Sequence, residues 1–180
     1  EQSVNGQYVL DGTPHLFTIT AGQTNKAYFD NPIENVPMRR IGIDKFELWK
    51  VNGADDLVLR QADVAFKIYA EDPTANSGAQ PVAAVTSASE TKYTGYLAPG
   101  DYWIEETVPA DYHVDSVTTD GAAPVQVTSN VYKVTLAPDK DLVVTWNNVS
   151  DKARIELIKV DQEDHDKYLT GAEFTLYQVV

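Results

Sequence analysis

Alternation with a period of two residues, broken at short intervals by Gly, Pro, Asn and Asp, constrains this chain more than any other feature. Neighbouring side chains on a strand point to opposite faces, so an alternating apolar and polar run marks a strand with one buried face. Runs of this kind, rich in Val, Ile, Thr, Tyr and Phe, recur from end to end. No stretch combines sustained helical periodicity with caps; ADDLVLRQADVAFKIY comes nearest, and its second half alternates instead. The pattern predicts an all-β fold with room for a short helical turn in a loop.

Parity then sorts individual residues. From position 41 one face carries Ile41, Ile43, Lys45 and Glu47. The next run groups Ala62, Val64, Phe66 and Ile68, with Asp63 and Lys67 facing the other way. Tyr102, Ile104 and Glu106 share a face, as do Leu142, Val144, Trp146 and Asn148. Lys45, Glu106 and Asn148 are thus polar residues on apolar faces, where burial is costly unless each is partnered. The same parity separates Glu106 from Glu105, which falls with Trp103 and Thr107, and Asn148 from Asn147.

The chain also repeats itself. IGIDKFE at 41–47, followed later by ADVAFKIY, has a counterpart in IELIKVD at 155–161, followed by TGAEFTLY. AYFDN, ending at Asn31, corresponds to VTWNN, ending at Asn148, each just before a short linker. The expected organisation is the closing strands of one module at 1–37, a complete module at 38–150, and the opening strands of a third at 151–180. The tail and the head would contribute different strands of one fold, so neighbouring chains offer one way of completing both; the simpler expectation is a fragment of a longer array.

Composition narrows function. The formal charge of −13, from 27 acidic against 14 basic residues, is the wrong sign for a nucleic-acid or anionic-membrane binder. No apolar run reaches the length of a membrane span, and EQSVNGQYVL has no signal-peptide pattern, so any export signal or anchor is expected outside this chain. With no cysteine there are no disulfides or thiolate sites. His15, His113 and His165 are scattered, and the acidic DQEDHD run lacks the spacing and glycine of an EF-hand loop. No metal or cofactor is expected.

Two longer segments resemble the Cna-B, or SpaA-like, modules of Gram-positive pilins and surface adhesins. KVDQEDHDKYLTGAEFTLY is similar to that family's opening K-x-D … L-x-G-A-x-F-x-L-Y, and LAPGDYWIEETVPADY resembles its L-x-P-G-x-Y-x-L-x-E-T … P-x-G-Y segment. The resemblance implies a Greek-key β-sandwich of the prealbumin-like or reverse immunoglobulin-like type, arranged in tandem. It also implies a spontaneous intramolecular isopeptide bond between a first-strand Lys and a last-strand Asn, assisted by a Glu of the E-T segment. Mapped onto this chain, these are Lys45, Asn148 and Glu106. Lys159, Asn31 and Glu1 are the corresponding residues of the partial modules. Asp111 stands where the family has Gly, and the stretch from Glu106 to Tyr112 is one residue short of its pattern.

The chemistry asks for burial. An amine attacks a carboxamide only as the free base, yet an ordinary lysine is almost wholly protonated at neutral pH. Desolvation lowers the lysine pKa and raises that of a nearby Glu, so both can be neutral. A protonated Glu106 can then polarise the Asn148 carbonyl and relay protons as ammonia departs. The implied role is a structural segment of a pilus shaft or adhesin stalk, outside the cell and attached to the wall. Expected partners are adjacent modules of the same protein, sortase-linked pilus subunits or host ligands, with no turnover on an external substrate. Two rivals are an adhesive module for a host glycoprotein or glycan, and a hydrolase using Glu105 or Glu106.

Overall fold

A computed structural model describes residues 7–9, 12–14, 16, 19–22, 35–51, 54–152, 155 and 157–177 of the 180-residue chain. Twelve strands run in order: β1 (Tyr8–Val9), β2 (Val36–Pro37), β3 (Ile41–Val51), β4 (Ala54–Arg60), β5 (Ala65–Tyr69), β6 (Ala83–Thr86), β7 (Lys92–Tyr93), β8 (Gly100–Glu106), β9 (Tyr112–Thr119), β10 (Val125–Gln126), β11 (Val131–Leu136) and β12 (Leu142–Ser150). The described residues contain no α-helix, and ADDLVLR, the opening of the one segment with any helical character, is strand β4.

Two five-stranded sheets make a β-sandwich. One has the order β10-β11-β8-β5-β6; the other runs β4-β3-β12-β9, with β7 pairing β3 from the side. The chain crosses repeatedly between them, β5 and β6 in one sheet, β7 in the other, β8 back again and β9 across, which is how an antiparallel sandwich of the Greek-key kind closes. β1 and β2 form a separate two-stranded ladder, Tyr8 opposite Pro37 and Val9 opposite Val36, so the end of the short linker expected after Asn31 is paired backbone.

Alternation in the sequence becomes alternation in burial. β12 reads buried, half-buried in strict turn from Leu142 to Asn148, and β8 does the same from Tyr102 to Glu106. Ile41, Ile43, Ile68, Ile104, Val144 and Trp146 are at most 1% exposed and fill the space between the sheets. Each such aliphatic side chain contributes roughly 1.5–3 kcal/mol on burial. The Trp146 ring is met edge-on by Phe66 at 5.3 Å and by Tyr132 at 5.1 Å between centroids, aromatic contacts that fix its rotation.

One parity assignment differs. Ala62 is exposed and lies outside β5, whereas Val64, Phe66 and Ile68 are buried as expected. Asp63 adopts a left-handed backbone (φ 62°), and that turn breaks the phase between Ala62 and the strand that follows. Asp111 is left-handed too (φ 66°), which explains why a glycine suits this position: no Cβ has to be accommodated there. Its carbonyl accepts the Asp151 N–H at 2.7 Å and its carboxylate pairs with Lys152 at 2.6 Å, so the loop after Glu106 is tied to the end of β12.

The pairing that matters most for function is β3 with β12. The opening and closing strands of the sandwich lie side by side and parallel, Ile41 opposite Leu142 and Lys45 opposite Trp146. Gly42 makes room for a crossing: a Cβ there would stand 2.7 Å from the Tyr93 ring of β7 and 2.9 Å from the Thr91 methyl.

Candidate functional site

Three strands deliver the polar residues that parity placed on apolar faces. Lys45 comes from β3, Asn148 from the neighbouring β12, and Glu106 from β8 in the facing sheet. All three are buried, Lys45 with 1% of its surface exposed and Glu106 and Asn148 with none. They meet. Lys45 Nζ lies 3.5 Å from Glu106 Oε1, and Asn148 Nδ2 donates to that same oxygen at 2.7 Å. Lys45 Nζ also donates to the Phe46 carbonyl at 3.1 Å.

Burial sets the protonation. Desolvation draws the Lys45 pKa down from 10.5 to about 8, against the opposing pull of the Glu106 and Glu47 charges. Desolvation likewise raises the Glu106 pKa, opposed by the Lys45 charge, by the Asn148 amide that donates to it, and by the nearby Trp146 N–H. Both shifts move the pair away from its charged form. The neutral tautomer, free amine beside carboxylic acid, is the one from which an amide can be attacked.

Polar satisfaction sets this place apart from the rest of the core. The buried Ser87 hydroxyl accepts the Val64 N–H and donates to the Gln61 carbonyl, and buried Thr94 accepts the Ile41 N–H and donates to the Gly95 carbonyl. At the triad, Glu106 Oε2, Asn148 Oδ1 and Trp146 Nε1 are all buried without a hydrogen bond. Such groups are rare in folded proteins and each costs about 1–3 kcal/mol. A half-turn of the Asn148 amide about its last bond would put Oδ1 where Nδ2 now lies, facing Glu106 Oε1. Protonated Glu106 would donate across that gap.

The residues flanking the triad face elsewhere. Glu105 points to the other side of β8 and accepts the Tyr69 hydroxyl at 2.8 Å, so Glu105 and Glu106 do not form a carboxylate pair across a cleft. Asn147 donates to Ser116 Oγ at 3.0 Å, and the β12/β9 register shifts between Asn147 and Asn148. Glu47, half-buried beside the site, accepts the Trp49 indole N–H. Lys159 is exposed, while Glu1 and Asn31 lie outside the described residues. Among the described residues no cluster of His, Asp and Glu could hold a metal, and no helix is long and apolar enough to cross a membrane. Sequence reasoning treated Trp146 only as core; its position two residues before Asn148 on the same face was the available signal.

No protein-family model matches the chain, and no curated protein matches it. Among solved structures it is similar to a minor pilin of Streptococcus agalactiae (17% identity, TM-score 0.40, 68% of this chain and 50% of that one). It is also similar to the shaft pilin SpaA of Lactobacillus rhamnosus GG (18% identity, TM-score 0.37, 73% and 57%). A variant of that shaft pilin aligns at 18% identity and a TM-score of 0.41, over 64% and 52%. The chain thus spans about half the length of the solved structures it matches. At this level of overlap the reading that follows rests on the chain's own residues.

Proposed function

We propose that residues 38–150 are a self-locking module of a Gram-positive surface stalk or pilus shaft, welded internally between Lys45 and Asn148. Lys45 Nζ attacks Asn148 Cγ while the Glu106 acid donates its proton to Oδ1. The tetrahedral adduct then passes a Lys45 proton through Glu106 to Nδ2, the Cγ–Nδ2 bond breaks and ammonia leaves, and Oδ1 returns its proton to Glu106 as the new carbonyl re-forms. An amine and a primary amide become a secondary amide and ammonia, with Glu106 regenerated and no other reactant consumed. Holding the groups in contact in a core shielded from bulk solvent replaces a catalyst acting from outside.

One observation carries this reading: an amine, an acid and an amide, each essentially without solvent exposure, share a single carboxylate oxygen at 3.5 and 2.7 Å. The mechanical logic supports it. Because β3 and β12 are parallel neighbours, a pull applied before Ile41 and after Ser150 shears the ladder between them. A bond from Lys45 to Asn148 diverts that load past everything between. By the chain-entropy argument used for disulfides, closing a loop of roughly 100 residues stabilises the module by about 4–5 kcal/mol.

The flanking segments fit an array of such modules on the cell surface. Ile155, Leu157, Phe174 and Leu176, counterparts of the core residues Ile41, Ile43, Phe66 and Ile68, are each more than half exposed, as expected of opening strands that need further strands to cover them. Adjacent modules are the natural partners, and no external substrate is involved. The test is intact mass spectrometry on denatured protein. Wild type should be one ammonia lighter than its sequence, and Lys45→Ala and Glu106→Ala should carry the full mass; a wild type at full mass sinks the proposal.

A further inference from the structure

We propose that Trp146 is a positioning residue for this reaction, its indole N–H holding Glu106 Oε2 so that Oε1 faces Lys45 and Asn148. The inference rests on the cross-linking function proposed above and adds a fourth residue to it.

Donor and acceptor counting leads there. Glu106 Oε1 serves both reacting side chains, whereas Oε2 is buried with no partner. Trp146 Nε1 is a buried donor with no partner, on a side chain with no solvent exposure. Neither atom is open to bulk solvent. The two strands also bring them to the same place: Trp146 is opposite Lys45 in the parallel ladder, and Glu106 is opposite Phe66, whose ring packs edge-on against the Trp146 indole. With Phe66 on one side and Tyr132 on the other, the indole has little freedom to turn away. Its N–H makes no hydrogen bond by strict geometry, but it is near enough to favour the Glu106 carboxylate.

The consequence is directional. A carboxyl free to rotate presents either oxygen, and either syn or anti proton, to Asn148. One pinned at Oε2 keeps its other oxygen on the reacting pair through both proton transfers. The charged groups acting on this site are Lys45 and Glu47 from β3, while the amide of Asn148 faces it from β12 and the apolar Phe66 from β5. Removing the indole N–H leaves these unchanged and takes away one donor that favours the carboxylate. The pH at which the Lys45 and Glu106 pair takes up a second proton, and bonding shuts off on the acid side, then moves upward.

Trp146→Phe keeps an aromatic ring and deletes the N–H. Chain recovered unfolded in guanidinium, diluted into buffers from pH 5 to 9 and quenched in acid, reports bonding as the fraction one ammonia lighter. We expect bonding about tenfold slower than wild type, by analogy with the low end of the cost of losing an outer hydrogen bond to a reactive centre, with the acid limb of the rate profile displaced to higher pH. Phe66→Leu is the control for packing: it loosens the same indole, so it slows folding without displacing the limb. Folding is followed separately by far-UV circular dichroism. A second readout is the indole N–H resonance of Trp146, one of three tryptophans, which should move on Glu106→Gln in a Lys45→Ala background where no bond forms. Trp146→Phe bonding at the wild-type rate with an unmoved profile, or an indole resonance indifferent to Glu106, overturns the inference and leaves the cross-link standing. A wild type that never loses ammonia overturns both.

Discussion

Replacing Glu106 with Gln sets two effects of known direction against each other. With a pKa of about 8, Lys45 is unprotonated in about a tenth of molecules at pH 7, against about one in three thousand at its ordinary value. The Glu106 charge works against that gain, because it raises the Lys45 pKa. Glu106→Gln is nearly isosteric and removes the charge, so the free-amine fraction at pH 7 rises by at most about tenfold. It also removes the acid that polarises Asn148 and relays protons, worth about 10²–10⁴ in rate. The net expectation is bonding slower by about 10- to 10,000-fold at pH 7. Dilution of chain recovered unfolded in guanidinium, followed by acid quench and intact mass at intervals, gives the rate directly. If the Gln variant bonds as fast as wild type or faster, amine availability alone limits the reaction and the role given to Glu106 is wrong.

Three further outcomes follow from the geometry. In Asn148→Ala, where no bond forms, the unfolded chain binds more protons at Lys45 than the folded one between pH about 8 and 10.5, so stability should rise with pH across that window by up to about 3 kcal/mol. At Glu106 the folded chain is the one that holds the extra proton just above the ordinary carboxylate range, so stability should fall with rising pH there. Urea denaturation across pH reads both slopes, and adding Lys45→Met should flatten the alkaline one; a slope that survives the methionine has another source. Gly42→Ala should cost about 1–3 kcal/mol, since its Cβ would press on the Tyr93 ring and the Thr91 methyl. An unchanged melting curve would mean that the β7 crossing yields freely. Asp111→Ala should lose about 1 kcal/mol from its left-handed backbone while Asp111→Gly stays near neutral, because the exposed pair with Lys152 adds little. Equal losses in both would place the cost in the ion pair instead.

Much of the site was legible before any coordinates. Side-chain direction on a strand is a local property with a period of two, so Lys45, Glu106 and Asn148 could be assigned inward and Glu105 and Asn147 away from them without knowing what lay opposite. The assignment failed at Ala62, where Asp63 turns left-handed, and a phase cannot be carried through such a turn. The left-handed Asp111 was visible only as a departure from a glycine pattern, since nothing in its own side chain announces that backbone.

The sequence by itself determined which faces of which strands are apolar and which polar side chains interrupt them, because that information lies within each strand. Tertiary structure decided that β3 and β12 run parallel as neighbours, that Glu106 reaches their residues from the opposite sheet, and that the Trp146 N–H and one Glu106 oxygen are both buried without a hydrogen bond. Those are relations between strands far apart in the chain. Their geometry is fixed only when the two sheets close on a shared core and exclude the water that would otherwise have satisfied every one of these groups.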